Sequence, residues 1–238
     1  MPNNDIVGAD VGTFSAFIAA RPDARFSDWL KDRAEPDWNA AVGHRLTVEL
    51  AEDTIDDAVY RRYLIQDYAF IETLVGVVGF AVGRAPSMAQ KMVFAGFLAV
   101  LTGEENDYFQ RSFDALGVSD ADRQAPAIGT VTKALFEIML EAAEEGYAEV
   151  LAVFLPAEWI YLTWAQAQSE KRPDRFYLSE RIDLHVPPEF EEFVLWMRDE
   201  IDAIGPTLST DRQERLAVLF SDMAFLEVGF FEAAYKSD

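Results

Sequence analysis

The chain has 238 residues and no cysteine, and its formal net charge is −22 because 42 acidic residues outnumber 20 basic ones. Without thiols, disulfides, iron–sulfur centres and cysteine nucleophiles are excluded. Because so acidic a chain repels phosphate backbones and anionic lipid, we expect neither nucleic-acid binding nor membrane attachment. Half of the residues are hydrophobic, which is enough for a buried core in one domain spanning residues 1–238.

The spacing of apolar residues is helical almost throughout and predicts an all-α fold of about eight or nine helices. The serine at 87 and the threonine at 210, each followed three residues later by glutamine, predict helix N-caps. Residues 171–186 are polar and are predicted to be irregular. Gly76, Gly79 and Gly83 predict a close helix crossing. In chain order, the predicted helices cover residues 11–20, 26–38 (broken at Pro36), 40–52, 55–83, 87–116, 128–145, 147–169, 189–204 and 210–235.

The N-terminal residues 1–5 contain no basic region followed by an apolar one, so the sequence predicts no secretory signal. The longest apolar runs, such as residues 92–101, are far shorter than the ~20 residues that a membrane span needs. We therefore expect a soluble, cytoplasmic protein.

One stretch, residues 149–164, is almost wholly apolar yet contains the carboxyl group of Glu158 and the phenol of Tyr161. On a helix these two residues share a face with Ala157. A carboxylate in such a segment needs a partner, a proton or a water-filled pocket. Two alternatives remain open, in which Glu158 reaches water at a rim and Tyr161 is a core tyrosine with a satisfied hydroxyl group.

Two further acids stand on apolar helices. Asp67 and Phe70 are three residues apart and share a face of the fourth predicted helix. Asp67 either binds a ligand or forms a salt bridge with Arg61 or Arg62. Glu227 is surrounded in the last helix by apolar residues, and because an unpaired buried carboxylate is costly, its position indicates a function.

These three stretches resemble motifs of the TenA family (thiaminase II, aminopyrimidine aminohydrolase). Residues 155–161, Leu-Pro-Ala-Glu-Trp-Ile-Tyr, resemble Leu-Pro-Cys-x-Trp-x-Tyr, with Ala157 in place of the nucleophilic cysteine. Residues 63–70 resemble Tyr-x-x-Gln-Asp-x-x-Tyr, with Phe70 in place of the last tyrosine. Residues 227–235 resemble Glu-x-x-Phe-Trp-x-x-Ala-Tyr, with Phe231 in place of tryptophan. The resemblance spans most of the chain. Ala134 and His185 fall near positions where the family has pocket tyrosines.

The resemblance implies a haem-oxygenase-like helical fold and a thiamin-salvage hydrolase that acts on a small pyrimidine ligand. Asp67 would bind the amino edge of the pyrimidine, Phe70 would stack on it and Tyr161 would orient it. Two other positions, Ala157 and His185, would line the same pocket. We expect a C–N bond of aminomethyl- or formylaminomethyl-pyrimidine to be cleaved by water, since no thiol is present.

Proton transfer in such a reaction would fall to Glu158 and Glu227, as base and acid, if their environments separate their pKa values. Because the family is typically tetrameric, we expect a homo-oligomer, either a dimer or a tetramer.

Other functions remain possible or are disfavoured. The loss of the thiol and of pocket hydroxyl groups leaves open a non-catalytic protein that binds a small aromatic or pyrimidine ligand. A transcriptional regulator is disfavoured by the acidity and by the lack of a basic recognition helix. Neither His44 nor His185 follows a glutamate by three residues, so a di-iron site is disfavoured, and we expect neither a metal nor a cofactor.

Overall fold

A computed structural model describes residues 12–236. All regular structure in this range is helical, which confirms the all-α prediction. The predicted start of the first helix at residue 11, and residues 1–5, lie outside the described residues. The helices are α1 (Phe14–Ala20), α2 (Phe26–Arg33), α3 (Asp37–Val42), α4 (Arg45–Ala51), α5 (Asp57–Arg84), α6 (Met88–Val100), α7 (Asn106–Ala115), α8 (Asp120–Gln124), α9 (Thr130–Glu145), α10 (Tyr147–Ala167), α11 (Phe176–Asp183), α12 (Pro188–Ile204) and α13 (Thr210–Ala233).

The N-terminal helices are shorter than predicted. The second and third predicted helices become α2, α3 and α4, because the chain breaks at Pro36 and again before His44. His44 caps α4, its Nδ1 accepting a hydrogen bond of 3.1 Å from the backbone N–H of Leu46. Ser87 caps α6 as predicted, whereas the cap of α13 is Ser209 rather than Thr210.

The predicted helix over residues 87–116 contains an irregularity that the sequence pattern does not show. α6 and α7 are joined by a π-helical turn, Leu101–Glu105, so the chain stays helical but gains one residue in this turn. Leu101 and Glu105, at the two ends of the turn, are both buried. The turn therefore brings a carboxyl group into the interior.

The prediction that residues 171–186 are irregular is wrong. This segment contains α11, which buries Tyr177, Leu178, Arg181 and Ile182. The helical period is present, but an arginine occupies one of the apolar positions and the helix has only eight residues. Because the segment is mostly polar, the helical spacing of its few apolar residues was not recognised in the sequence.

α10 is the central helix and contacts α3, α5, α9, α12 and α13. Most of its residues are buried, as expected for a helix that is apolar on all sides. Buried apolar side chains from Phe14 to Ala234 form one cluster around it. The single domain over residues 1–238 stays a prediction.

Two helices, α5 and α10, are long and apolar enough to cross a membrane, which the count of uninterrupted apolar residues did not predict. The apolar window of α10 is 89% buried inside the protein, as in the core helix of a globular fold, whereas that of α5 is 44% buried. Gly76, Gly79 and Gly83 lie on the exposed part of α5, and a Cβ atom at any of them would meet nothing within 4 Å. Within this chain the predicted close crossing at these glycines is therefore wrong.

Candidate active site

The first wall of the site is one face of α5. Tyr60, Tyr63, Asp67 and Phe70 recur at helical spacing and are all buried. Asp67 is 2% exposed, so its carboxylate needs a partner inside the protein. The partner is Arg181 of α11, whose Nη2 donates to Asp67 Oδ2 at 2.6 Å. Asp67 is therefore in an ion pair, with Arg181 rather than with Arg61 or Arg62.

Arg181 connects four elements of the fold although it is 1% exposed. Its Nη2 also donates to Tyr63 Oη at 2.9 Å, and its Nη1 donates to Glu105 Oε1 in the π-helical turn at 3.3 Å. Its guanidinium carbon lies 5.1 Å from the ring centre of Tyr161 in α10. Burial alone would lower the pKa of Arg181, but the negative charge of Asp67 raises it well above the usual value. Arg181 therefore carries a permanent positive charge inside the site.

A chain of ring contacts continues from this ion pair across α10. Tyr63 and Tyr161 share a hydrogen bond of 2.8 Å between their hydroxyl groups, and the ring centre of His185 lies 5.0 Å from that of Tyr161. His185 Nδ1 lies 2.8 Å from the backbone carbonyl oxygen of Arg181. Burial, reinforced by the charge of Arg181, lowers the pKa of His185 to about 3. His185 is therefore neutral at physiological pH, and its Nδ1–H donates to that carbonyl group.

These side chains line a cavity of about 20 Å³ between α5, the π-helical turn, α10 and α11. Every predicted site residue except Glu227 lines it. A cavity of this volume has room for about one water molecule, so a ring-sized ligand requires side chains of the wall to move. The lining residues are Asp67, Phe70, Ile71, Glu105, Ala157, Glu158, Tyr161, Arg181 and His185.

The carboxyl group of Glu158 belongs to the cavity wall and not to an outer rim. Burial raises its pKa well above the usual value, and the negative charge of Glu105 raises it further. Burial therefore favours the protonated form of Glu158, which can donate a hydrogen bond or a proton.

Glu227 of α13 is 2% exposed and does not line the cavity. The ring of the nearby Phe231 lies 5.9 Å from that of Tyr161, which places this part of α13 against the aromatic wall. Burial, together with the negative charge of Asp67, raises the pKa of Glu227 to about 8. Its Oε2 has no hydrogen-bond partner within the described part of the chain.

The prediction that Glu158 is the general base and Glu227 the general acid requires Glu158 to be ionised. Burial raises the pKa of both carboxyl groups and so favours the protonated form of each. The raised pKa values suit both groups to donate protons.

The sequence reasoning did not select Arg181 or Glu105 as site residues. For Arg181 a signal existed, since it occupies an apolar position in the helical pattern of α11 with Leu178 and Ile182. Glu105 had no such signal, because the π-helical turn decides which side of the helix it occupies.

The model of the TENA/THI-4/PQQC family matches residues 31–237. The chain belongs to this family. It is 23% identical over 214 residues to an aminopyrimidine aminohydrolase of Helicobacter pylori, covering 89% of this chain and 99% of that protein. It is also 18% identical to the hydroxymethylpyrimidine/phosphomethylpyrimidine kinase THI20 of Saccharomyces cerevisiae, over 90% of this chain but only 40% of the yeast protein.

Solved TenA structures have the same fold. A TenA family transcription regulator from Silicibacter superposes with a TM-score of 0.81 at 20% identity, covering 92% of this chain and all of that one. A TenA homologue from Pyrococcus furiosus superposes with a TM-score of 0.80 at 22% identity, covering 88% of this chain and all of that one. This TENA/THI-4 family member therefore has the helical haem-oxygenase-like fold expected from the resemblance.

Proposed function

We propose that this TENA/THI-4 protein is a thiamin-salvage hydrolase that cleaves a C–N bond of an aminopyrimidine without a cysteine nucleophile. The supporting observation is the buried cluster in which the ion-paired Asp67 and the carboxyl group of Glu158, whose pKa is raised by burial, line one cavity with Tyr161. The Helicobacter relative, an aminopyrimidine aminohydrolase, supports the substrate class. The proposed substrates are pyrimidine fragments, aminomethyl- or formylaminomethyl-pyrimidine.

In this proposal the pyrimidine lies between Phe70 and Tyr161, beside the small side chain of Ala157. Arg181 bonds to Oδ2 of Asp67, so the pyrimidine amino group binds through Oδ1. Burial raises the pKa of Asp67, but the charge of Arg181 opposes this shift and favours the carboxylate, which is the stronger acceptor for such an amino group. His185, neutral and held by its bond to the Arg181 carbonyl group, lines the far side of the ring.

The chemical step needs one oxygen atom from water and two proton transfers. For the aminomethyl substrate, the bond from the methylene carbon to nitrogen breaks, and its electron pair stays on nitrogen. The nitrogen takes a proton from a protonated carboxyl group and leaves as ammonia. A water molecule forms the new C–O bond and gives a proton to a base. The two candidate acids are Glu158 on the cavity wall and the buried Glu227 outside it, since burial raises the pKa of both.

We expect the purified chain to release ammonia from aminomethylpyrimidine or formate from formylaminomethylpyrimidine. Ammonia and formate are measured over time for each substrate, with heat-denatured protein as the blank. If neither product forms while the same compounds raise the melting temperature, the protein binds pyrimidines without converting them. That outcome would contradict the hydrolase proposal and support the non-catalytic alternative, which the replacement of the nucleophilic cysteine by Ala157 favours.

We further propose that the chain self-associates through the exposed face of α6 and the adjoining end of α5. Met88 and Met92 are 70% and 67% exposed, Phe80 is 47% exposed, and a helix as apolar as α6 is normally covered. Light scattering is expected to give the mass of a dimer or tetramer. Met92→Glu is expected to lower that mass, and a monomeric wild-type protein would contradict the proposal.

Location in the cytoplasm stays a prediction.

A further inference from the structure

The hydrolase proposed above needs a proton acceptor, and burial favours the protonated form of both Glu158 and Glu227. A third carboxyl group lies in the same cavity. Glu105 is the last residue of the π-helical turn and lines the cavity with Asp67 and Glu158. π-helical turns inside α-helices are frequent at functional sites because the extra residue redirects side chains. Here the turn buries Glu105, while the preceding Glu104 stays exposed.

Arg181 donates hydrogen bonds of different length to its two carboxylate partners. Its bond to Asp67 is short, at 2.6 Å, whereas its bond to Glu105 is long, at 3.3 Å. Asp67 is thus held as a tight ion pair, and Glu105 is held in place by the same guanidinium group but more weakly. A weakly paired carboxylate on the wall of a cavity retains the capacity to take up a proton.

The balance of charge around Glu105 follows from all the helices packed against it. Burial raises the pKa of Glu105 to about 7 although the charge of Arg181 opposes this shift. A base with a pKa near the working pH is the most effective in general base catalysis. Titratable or charged groups from five helices surround Glu105. They are Tyr60, Tyr63 and Asp67 of α5, Tyr108 of α7, Glu158 and Tyr161 of α10, Arg181 of α11 with His185 just after it, and Glu227 of α13.

We propose that Glu105 is the catalytic base of this site and that Arg181 is the positioning residue that holds it. This inference rests on the hydrolase function proposed above. A water molecule in the cavity gives one proton to the carboxylate of Glu105 while its oxygen bonds to the methylene carbon of the pyrimidine. The leaving nitrogen takes its proton from a protonated glutamate. Glu105 then returns its proton to that group or to solvent, which restores the starting state.

The test compares Glu105→Gln with a matched control, Glu104→Gln, in the full chain with aminomethylpyrimidine as substrate. Glu105→Gln is expected to lower kcat by about 100- to 10,000-fold with little change in KM, because it removes the proton acceptor and retains the shape of the side chain. It is also expected to abolish the rise of kcat with pH around neutrality. Glu104→Gln, which alters the adjacent exposed residue, should leave kcat and its pH dependence unchanged.

A second variant tests the role of Glu105 if the first variant does not fold. If circular dichroism shows that Glu105→Gln is unfolded, Glu105→Asp, which keeps a negative charge for Arg181, is used instead. Its shorter side chain is expected to lower kcat and to shift the acidic limb of the pH profile.

The outcomes separate the two proposals. An active wild-type protein whose Glu105 variants keep both kcat and the acidic limb would overturn the role of Glu105 and leave the hydrolase proposal standing. A wild-type protein that releases neither ammonia nor formate would remove both.

Discussion

Glu227→Gln is expected to lower kcat by about 100- to 10,000-fold with the fold intact. Glutamine has the shape of the neutral carboxylic acid that burial maintains at this position, but it cannot give up a proton. We expect wild-type activity to fall as pH rises through about 8, where Glu227 loses its proton, and we expect the variant not to show this fall. Steady-state kinetics with aminomethylpyrimidine between pH 6 and 9 measure both effects.

The same substitution is expected to stabilise the protein in alkaline solution. The folded-state pKa of Glu227 is raised to about 8, whereas in the unfolded chain it is near its usual value. As pH rises from about 4.5 to 8, the unfolded state loses this proton before the folded state does, so wild type loses stability over that window. Glutamine has no such proton. The melting temperature of Glu227→Gln relative to wild type should therefore increase from pH 5 to pH 8.

Asp222→Asn is the matched control, because Asp222 is on the same helix but exposed. It should change neither kcat nor the pH dependence of the melting temperature. A Glu227→Gln enzyme as active as wild type would show that this buried acid transfers no proton in the reaction.

Arg181→Met is expected to be the most destabilising single substitution in the site. It leaves the buried carboxyl groups of Asp67 and Glu105 without their positive partner. Removing one member of a buried ion pair typically costs about 3–5 kcal/mol. In a domain of this size that corresponds to a fall in melting temperature of roughly 10 °C. The loss should be smaller at pH 4, where protonated carboxyl groups no longer need the charge.

The control for this experiment is a surface arginine with the same number of acidic partners. Arg111 pairs with Asp107 and Glu180, and its side chain is 43% exposed. Exposed pairs contribute about 0–1 kcal/mol, so Arg111→Met should lower the melting temperature by only a few degrees. Adding Asp67→Asn to Arg181→Met should restore part of the loss. Equal effects of the two arginine substitutions would contradict the buried-pair interpretation.

The buried charged groups of this site supply proton donors and acceptors for catalysis but lower the stability of the fold. One permanent cation, Arg181, is surrounded by four buried acids: Asp67, Glu105, Glu158 and Glu227. One arginine cannot compensate four negative charges, so burial keeps some of the acids protonated near neutral pH. The result is a small space that offers both proton donors and a proton acceptor, as C–N hydrolysis by water requires.

Much of this protein follows from local patterns in its sequence. The long helices α5, α10 and α13 were predicted because their apolar residues repeat at helical spacing over many turns. Asp67, Glu158 and Glu227 were noticed as site candidates for a related reason. Each is a carboxyl group in an apolar helix, where burial without a function would be costly.

The tertiary structure alone decided how those acids are used. Arg181 and Asp67 are separated by 114 positions in the sequence, and no local rule pairs residues so far apart. The arginine lies in the eight-residue α11, whose polar composition prevented its helical pattern from being recognised in the sequence. The side of the helix that Glu105 occupies depends on one extra residue in a π-helical turn. A pKa depends on every charge and on the burial around a group, so the protonation of Glu158 and Glu227 could be determined only after the helices were packed together.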